Sequence, residues 1–385
     1  YCVRDVELNT KVLEELRKES KGFTPESISL EQKVAGIVKQ QETDGFNFDM
    51  PLALGLLAEL RQKKQVIEDE VHQTFKPKWV DTKEVTPFIR KDGNLSKRGL
   101  TDAEYQRCLD TNNFNSFMRQ TLQEFNLGSR KQIGEYLIDF GWKPNRFTPT
   151  GQPIVDEKTL SKITHIHEAK LIADFLLLQK RVAQVDSWVE AVKEDGRVHG
   201  FVIPNGTITG RMAHRNPNMA QVPSSYSPYG KECRACWNVG EGNVLLGVDA
   251  SGLELRMLAH YMKDDEYIKE ILDGDIHTAN QKAARLKSRN QAKTFIYALM
   301  YGAGDEKLGK VVEGNTRDGK RAREHFFNNN PAFKSLRDRV TRAAGKKFLK
   351  GLDGRKLYIR HTHAALNTLL QGAGAIVMKK ALVIL

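Results

Sequence analysis

Residues 289–302, RNQAKTFIYALMYG, constrain this chain more than any other stretch. Arg289, Lys293, Tyr297 and Tyr301 stand four apart. An α-helix turns ~100° per residue, so each such step drifts only ~40° and the four share one face. Ala292, Phe295, Ile296 and Leu299 fall on the opposite arc, the one that packs inward. The segment therefore predicts an amphipathic helix presenting two cations and then two phenols. That order suits a ligand with phosphates at one end and a flat ring at the other. A solvated Arg–Lys stripe followed by two core tyrosines gives the same pattern, so the helix alone leaves both readings open.

The charge balance adds a direction. Lys and Arg number 60 against 48 Asp and Glu, a net +12 in 385 residues, which points to a polyanionic partner such as nucleic acid. The 40% hydrophobic and 28% charged composition is that of a globular protein long enough for two or three domains. No apolar run reaches the ~20 residues a membrane helix needs, and no signal peptide stands at the start. The chain begins at Tyr1 and ends in AIVMKKALVIL, which has no helix stop, so it reads as a piece of a longer protein. Four cysteines make no disulfide framework; Cys233 and Cys236 have CxxC spacing without a second pair, and a reducing cytoplasm fits.

Helical periodicity covers residues 5–18, with Val6, Asn9, Leu13 and Leu16 on one face, and continues in the apolar stretch Leu52 to Val66. Residues 76–123 are polar and irregular, with prolines and basic side chains, as in a long surface insertion. Helices are expected over Ser129 to Phe140 and Glu168 to Val192, and short strands and loops over 199–224. NVLLGV (243–248) reads as a buried strand ending in Asp249. Helices dominate from Leu253 to Ala344, GLDGRKLYIR (351–360) reads as a hairpin, and a last helix starts near His363.

An apolar strand that delivers Asp249 to its end is a common way to hold a carboxylate beside a metal, though an ordinary strand-loop-helix corner looks the same. Glu254 and Arg256 follow at a helix start, and GDIHT places His277 near another, where an imidazole can reach a phosphate. His363, Asn367 and Gln371 step by four; such donors suit the acceptors on the minor-groove edge of every base pair. Thr209-Gly210-Arg211 and Asn218-Met219-Ala220-Gln221 carry similar groups in a loop.

In this order the segments resemble the motifs of family A DNA polymerases. VDASGLELR resembles motif A and RNQAKTFIYALMYG motif B, the fingers helix; TGR, PNMAQVP, GLDGR, HAALNTLLQ, FNLGSRKQI and LLQKR resemble further blocks. DASGLELR, GDIHT, AKTFIY and YGAGDEK are most similar to replicative polymerases of short-tailed bacteriophages. The resemblance implies an α+β right-hand fold, predominantly helical, with an incomplete antiparallel palm sheet. It implies an exonuclease remnant at 1–24, a thumb at 25–200 with its insertion at about 76–123, palm at 201–262, fingers at 263–345 and palm again at 346–385.

Carried over residue by residue, Asp249 matches the aspartate that binds two magnesium ions (Mg2+), with Ala250 lending its backbone carbonyl. Glu254 sits where the family has its steric gate against a ribose 2′-OH. Arg289 and Lys293, with His277 beside them, match holders of the incoming dNTP triphosphate; Tyr297 matches a contact to the sugar and Tyr301 a residue stacking at the template position. Arg211, Asn218, Gln221, His363, Asn367 and Gln371 match contacts to primer-template DNA. YCVRD resembles the last motif of a 3′–5′ exonuclease, with Tyr1 and Asp5 as its Tyr and metal-binding Asp. Phage relatives use a loop at the thumb insertion to recruit a host processivity factor, and the setting would be the host bacterial cytoplasm. The family's motif C, with its second metal-binding aspartate, does not occur before Leu385, so the chain by itself is expected to extend primers poorly. A non-catalytic primer-template binding piece, half of a split polymerase, and a single-subunit RNA polymerase are the alternatives; Glu254 and the exonuclease-like start argue against the last.

Overall fold

The computed structural model describes residues 2–385, the side chain of Lys158 excepted. The chain begins with α1 (Cys2–Glu19), α2 (Pro25–Asp44), β1 (Phe46–Asn47), α3 (Met50–Thr74) and β2 (Lys78–Val85). Next come α4 (Asp102–Thr111), β3 (Phe117–Gln123), α5 (Arg130–Asp139), α6 (Glu157–Leu160) and α7 (His167–Val189). Short elements follow: β4 (Arg197–Val198), β5 (Phe201–Ile203), β6 (Ala213–Arg215) and α8 (Gly230–Ala235). A helical run then takes α9 (Leu253–Met262), α10 (Asp265–Leu272), α11 (Ile276–Ala284), α12 (Arg289–Met300), α13 (Asp305–Val311), α14 (Thr316–Asn329) and α15 (Pro331–Ala344). The chain closes with β7 (Phe348–Lys350), β8 (Lys356–Tyr358) and α16 (Ala365–Ile384). The described strands pair two by two, all antiparallel: β1 with β4, β2 with β3, β5 with β6 and β7 with β8. This is the helical α+β architecture the motifs imply.

Two compact units result. One takes the N-terminal segment to Asp49, Ala191–Ser224 and Trp237–Leu385; the other takes Met50–Glu190 and Ser225–Cys236. In the second, Phe75 and Phe125 bracket the insertion and meet edge to face at 4.9 Å, with Tyr136 4.5 Å from Phe125. That aromatic cluster pins the stem of the insertion to α5. The insertion is not irregular, as its composition suggested. β2 and β3 form a hairpin with Trp79 opposite Leu122 and a register shift between Asp81 and Lys83. Most residues of both strands are exposed, so cross-strand pairs hold a ribbon whose faces stay largely solvated. α4 lies in the connection, capped by Thr101 and Glu104, each bonding the other's backbone N–H.

In the first unit, α2 starts on Thr24, whose hydroxyl accepts the Ser27 N–H, with Pro25 in the first turn; it ends at Gly45 with φ 65°. Leu30, Val34 and Val38 pack with Val202 and Ile376, so α2 groups with α16 in this unit. A buried charge network reinforces that packing. Lys379, 2% exposed, donates to Glu31 Oε1 at 2.8 Å and Oε2 at 2.7 Å and to Asn205 Oδ1 at 2.7 Å. Arg355 bridges the same Glu31 to Asp353. A cation this buried persists only with its donors satisfied.

The main core joins Leu258 of α9, Phe295 and Ile296 of α12, Phe326 of α14, Phe333 of α15 and Leu366 of α16. α1 buries nothing; Val6, Leu13 and Leu16 are all exposed, as is Asp5. Tyr1, the other exonuclease-like residue, lies outside the described residues.

The largest departure from expectation is 243–248. Instead of a buried strand, it has no regular structure and no strand partner, with Val244 89%, Leu245 64%, Leu246 80% and Val248 60% exposed. A strand satisfies its backbone only through neighbours, and none among the described residues pairs with this one.

Candidate nucleotide and primer-template site

The fingers-like helix forms as its spacing predicts. Ser288 caps it, its hydroxyl accepting the Gln291 N–H at 3.2 Å. Ala292, Phe295, Ile296, Ala298, Leu299 and Met300 are buried, leaving Arg289, Lys293, Tyr297 and Tyr301 on the freer face. Each large apolar side chain buried there stabilises the helix by about 1.5–3 kcal/mol. The helix stops where Gly302 takes φ 77°. A Cβ on Gly302 would stand 2.1 Å from the His363 carbonyl oxygen, so glycine alone lets the end of α12 approach the turn leading into α16.

Three polar groups meet at that end. The Tyr301 hydroxyl donates to Glu254 Oε2 at 2.8 Å, and the Tyr297 and Tyr301 rings lie 6.3 Å apart. Burial, then the Glu254 carboxylate, push the Tyr301 phenol up to about 12, and Gln371 opposes this in part. Burial and Glu254 raise Tyr297 as well. Glu254 is delivered by the first turn of α9, which begins at Gly252 in the left-handed region; Arg256 folds back to the Ser251 carbonyl at 2.9 Å.

At the other end of α12, Arg289 is already engaged. Its Nε donates to Asp275 Oδ2 at 2.6 Å and its Nη2 to Oδ1 at 3.1 Å. Asp275 is the N-cap of α11, accepting from the His277 N–H at 3.1 Å and the Thr278 hydroxyl at 2.7 Å. The Arg289 guanidinium first, and these donors after it, hold the Asp275 carboxyl well below the usual carboxylate range. Burial lowers the His277 imidazole, with Arg289 adding to it, so the ring is neutral at pH 7 and its buried Nδ1 has no partner. Lys293 is exposed and forms no ion pair among the described residues.

A second constellation lines an open cleft of ≈370 Å³: Arg211, Arg360, His361, Asn367, Thr368 and Gln371 among its residues. Thr207 accepts the Arg211 N–H at 3.0 Å and shares a hydrogen bond with Thr209 at 2.9 Å, folding the turn that presents Arg211. Asn367 Oδ1 is buried there without a hydrogen-bond partner. His363 sits in a 3-10 turn before α16 rather than on its face, stacked on His361 at 5.4 Å. Asn218 caps and Gln221 ends a separate 3-10 turn, both exposed and outside the cleft lining.

Asp249 is exposed on the unpaired segment, with Ala250 after it. Among the described residues no group of three or more His, Cys, Asp or Glu could hold a metal ion. One carboxylate and one backbone carbonyl do not fit two magnesium ions. Cys233 and Cys236 are buried and share no disulfide, and Cys236 donates to the Glu232 carbonyl at 3.4 Å, so the CxxC spacing serves helix packing.

The structure thus brings together Glu254 with Tyr301, His277 with Arg289, and Arg211 with Asn367 and Gln371. Sequence reasoning missed Asp275 and Arg360; for Asp275, the Asp before an IHT helix start was a legible N-cap signal.

The sequence model for DNA polymerase family A matches residues 101–385. The DNA-directed DNA polymerase of Enterobacteria phage T3 is 36% identical over 98% of this chain and 64% of its own length. That of Escherichia phage T7 is also 36% identical over 98% of this chain and 64% of its own. The chain therefore spans 64% of the length of each of these relatives. Among solved structures, the POL domain of Pol1 from M. smegmatis, in complex with DNA primer-template and dNTP, superposes with TM-score 0.71 at 20% identity, covering 91% of this chain and 58% of that one. At that identity the likeness establishes the fold, and the sequence match over most of the length does the rest: the chain belongs to DNA polymerase family A.

Proposed function

We propose that the chain is the polymerising part of a phage replicative DNA polymerase, which adds dNTPs to a primer 3′-OH as a template directs. The carrying observation is the face of α12, where Arg289, Lys293, Tyr297 and Tyr301 line up with His277 at one end and Glu254 at the other. Arg289 and Lys293 hold the triphosphate, and neutral His277 serves as a hydrogen-bonding partner there. Tyr297 lies against the sugar, Glu254 excludes a ribose 2′-OH, and Tyr301 covers the template position until a correct pair draws the helix over it. Arg211, Asn367 and Gln371 offer polar groups to the minor groove, with Arg360 beside them; His363, Asn218 and Gln221 extend that contact along the duplex.

In a complete site magnesium would supply the phosphoryl-transfer chemistry, and Asp249 and the Ala250 carbonyl would be two of the donors that hold it. Those two donors do not complete it, so we expect the 385-residue chain to bind DNA without extending it usefully. This also supports a second reading, a primer-template binding portion whose remaining carboxylate is supplied from elsewhere. The exposed Trp79 and Leu122 on the insertion hairpin support docking of a processivity factor, and the setting would be the bacterial cytoplasm of a phage host. Tyr1 and Asp5 would belong to a proofreading site.

Fluorescence anisotropy with a labelled primer-template tests the reading. Binding that weakens as salt rises, and that Arg211→Ala diminishes, is expected. No binding at low salt would sink it, and robust magnesium-dependent synthesis by this chain would overturn the expectation of inactivity.

A further inference from the structure

We propose that Asp275 is an internal latch for Arg289: its carboxylate occupies the guanidinium fork that a ligand phosphate would take, and a triphosphate must displace it. This deepens the reading of α12 as the triphosphate-holding helix and rests on it.

The geometry carries the argument. A guanidinium presents parallel N–H donors that match a carboxylate or a phosphate equally well. Asp275 fills that fork at 2.6 and 3.1 Å. It does not swing freely, because the His277 N–H and the Thr278 hydroxyl hold it as the cap of α11. Arg289 is the mobile partner, on a flexible stem at the first position of α12. Of the other two groups assigned to the phosphates, Lys293 has no ion pair among the described residues and His277 keeps an unpaired Nδ1. Arg289 is thus the one phosphate-holding group whose charge is already balanced inside the protein.

Both side chains are about half exposed, 52% for Arg289 and 41% for Asp275, so water screens the pair and the latch is weak enough to open. Its consequence is selective. A ligand long enough to reach Arg289 competes with Asp275, whereas one that ends short of it does not. Asp275 acts through Arg289 and is a positioning residue.

The test uses the 385-residue chain in EDTA, titrated calorimetrically with inorganic tripolyphosphate, dATP and dAMP. Asp275→Asn keeps an oxygen that can cap α11 and removes the charge. The variant should bind tripolyphosphate and dATP roughly three- to fivefold tighter, with no change for dAMP. The gain should shrink as salt rises. It should vanish in an Arg289→Gln background, because the two residues act as a unit. Unchanged or weaker triphosphate binding by Asp275→Asn, or an equal gain for dAMP, overturns the latch. Asp275→Ser, which also caps, repeats the measurement if the first variant melts early. Primer-template anisotropy on the same samples reports on the parent reading separately. DNA binding with no triphosphate gain sinks the latch alone; loss of both DNA and triphosphate binding in the unsubstituted chain sinks both.

Discussion

The Tyr301 hydroxyl donates to Glu254 Oε2 at 2.8 Å, tying the last turn of α12 to the first turn of α9. Tyr301 stands 47 positions after Glu254, so the contact is made by the fold and not by local sequence.

That contact has a titration signature. Burial contributes most to raising Tyr301 from 10.0 to about 12, and Glu254 adds the next part. Because the folded state favours the neutral phenol, this group's contribution is constant below pH 10 and is lost as pH rises from 10 towards 12. Glu254→Gln should bring the Tyr301 transition down without returning it to 10, since burial remains. Ultraviolet difference titration against Tyr301→Phe isolates the signal; an unmoved transition would show that Glu254 contributes nothing.

Gly302→Ala should destabilise the first unit by about 2 kcal/mol or more, through the positive φ and the clash with the His363 carbonyl together. Urea unfolding measures it. A loss below about 0.5 kcal/mol would mean that the turn before α16 yields to a methyl group.

Lys379→Met leaves Glu31 with Arg355 and Asn205 but strips the cation that donates to both of its oxygens. Breaking a buried pair on one side costs about 3–5 kcal/mol, whereas replacing both members costs far less. Lys379→Met should therefore unfold at clearly lower urea than the double variant Glu31→Gln/Lys379→Met. Equal midpoints would show that the network is not coupled.

Glu104 predicts an acid-labile insertion. Its hydrogen bonds to Arg119, then to Thr101, lower it from 4.5 to about 2. The stability it confers is present above pH 4.5 and is lost as pH falls towards 2, by the sign rule for a depressed carboxylate. Glu104→Gln should cost about 1–2 kcal/mol at pH 7 and flatten the stability profile between those pH values. Hydrogen exchange across α4 and the β2–β3 hairpin reads the effect locally, and a profile parallel to that of the unsubstituted chain would rule the residue out.

Much of the site was legible because its informative spacings are short. Arg289 to Tyr301 repeat every four residues within a single helix, and helical geometry converts that directly into a shared face. His277 and Glu254 were found at helix starts for the same local reason. Asn367 and Gln371 share a face of α16, but His363 does not, because the chain turns tighter before the helix begins.

What the sequence by itself determined about this protein is its helices, their caps and the face that each shows, because hydrogen bonds within four or so residues set them. What only the tertiary structure decided is pairing at long range. Asp275 neutralises Arg289, Glu31 meets Lys379 348 positions away, and polar residues 76–123 close into a hairpin held by Phe75 and Phe125. The same physics explains the strand that failed. Apolarity made 243–248 suited to burial, but a strand exists only where a partner supplies its hydrogen bonds, and no property of those six residues can furnish one.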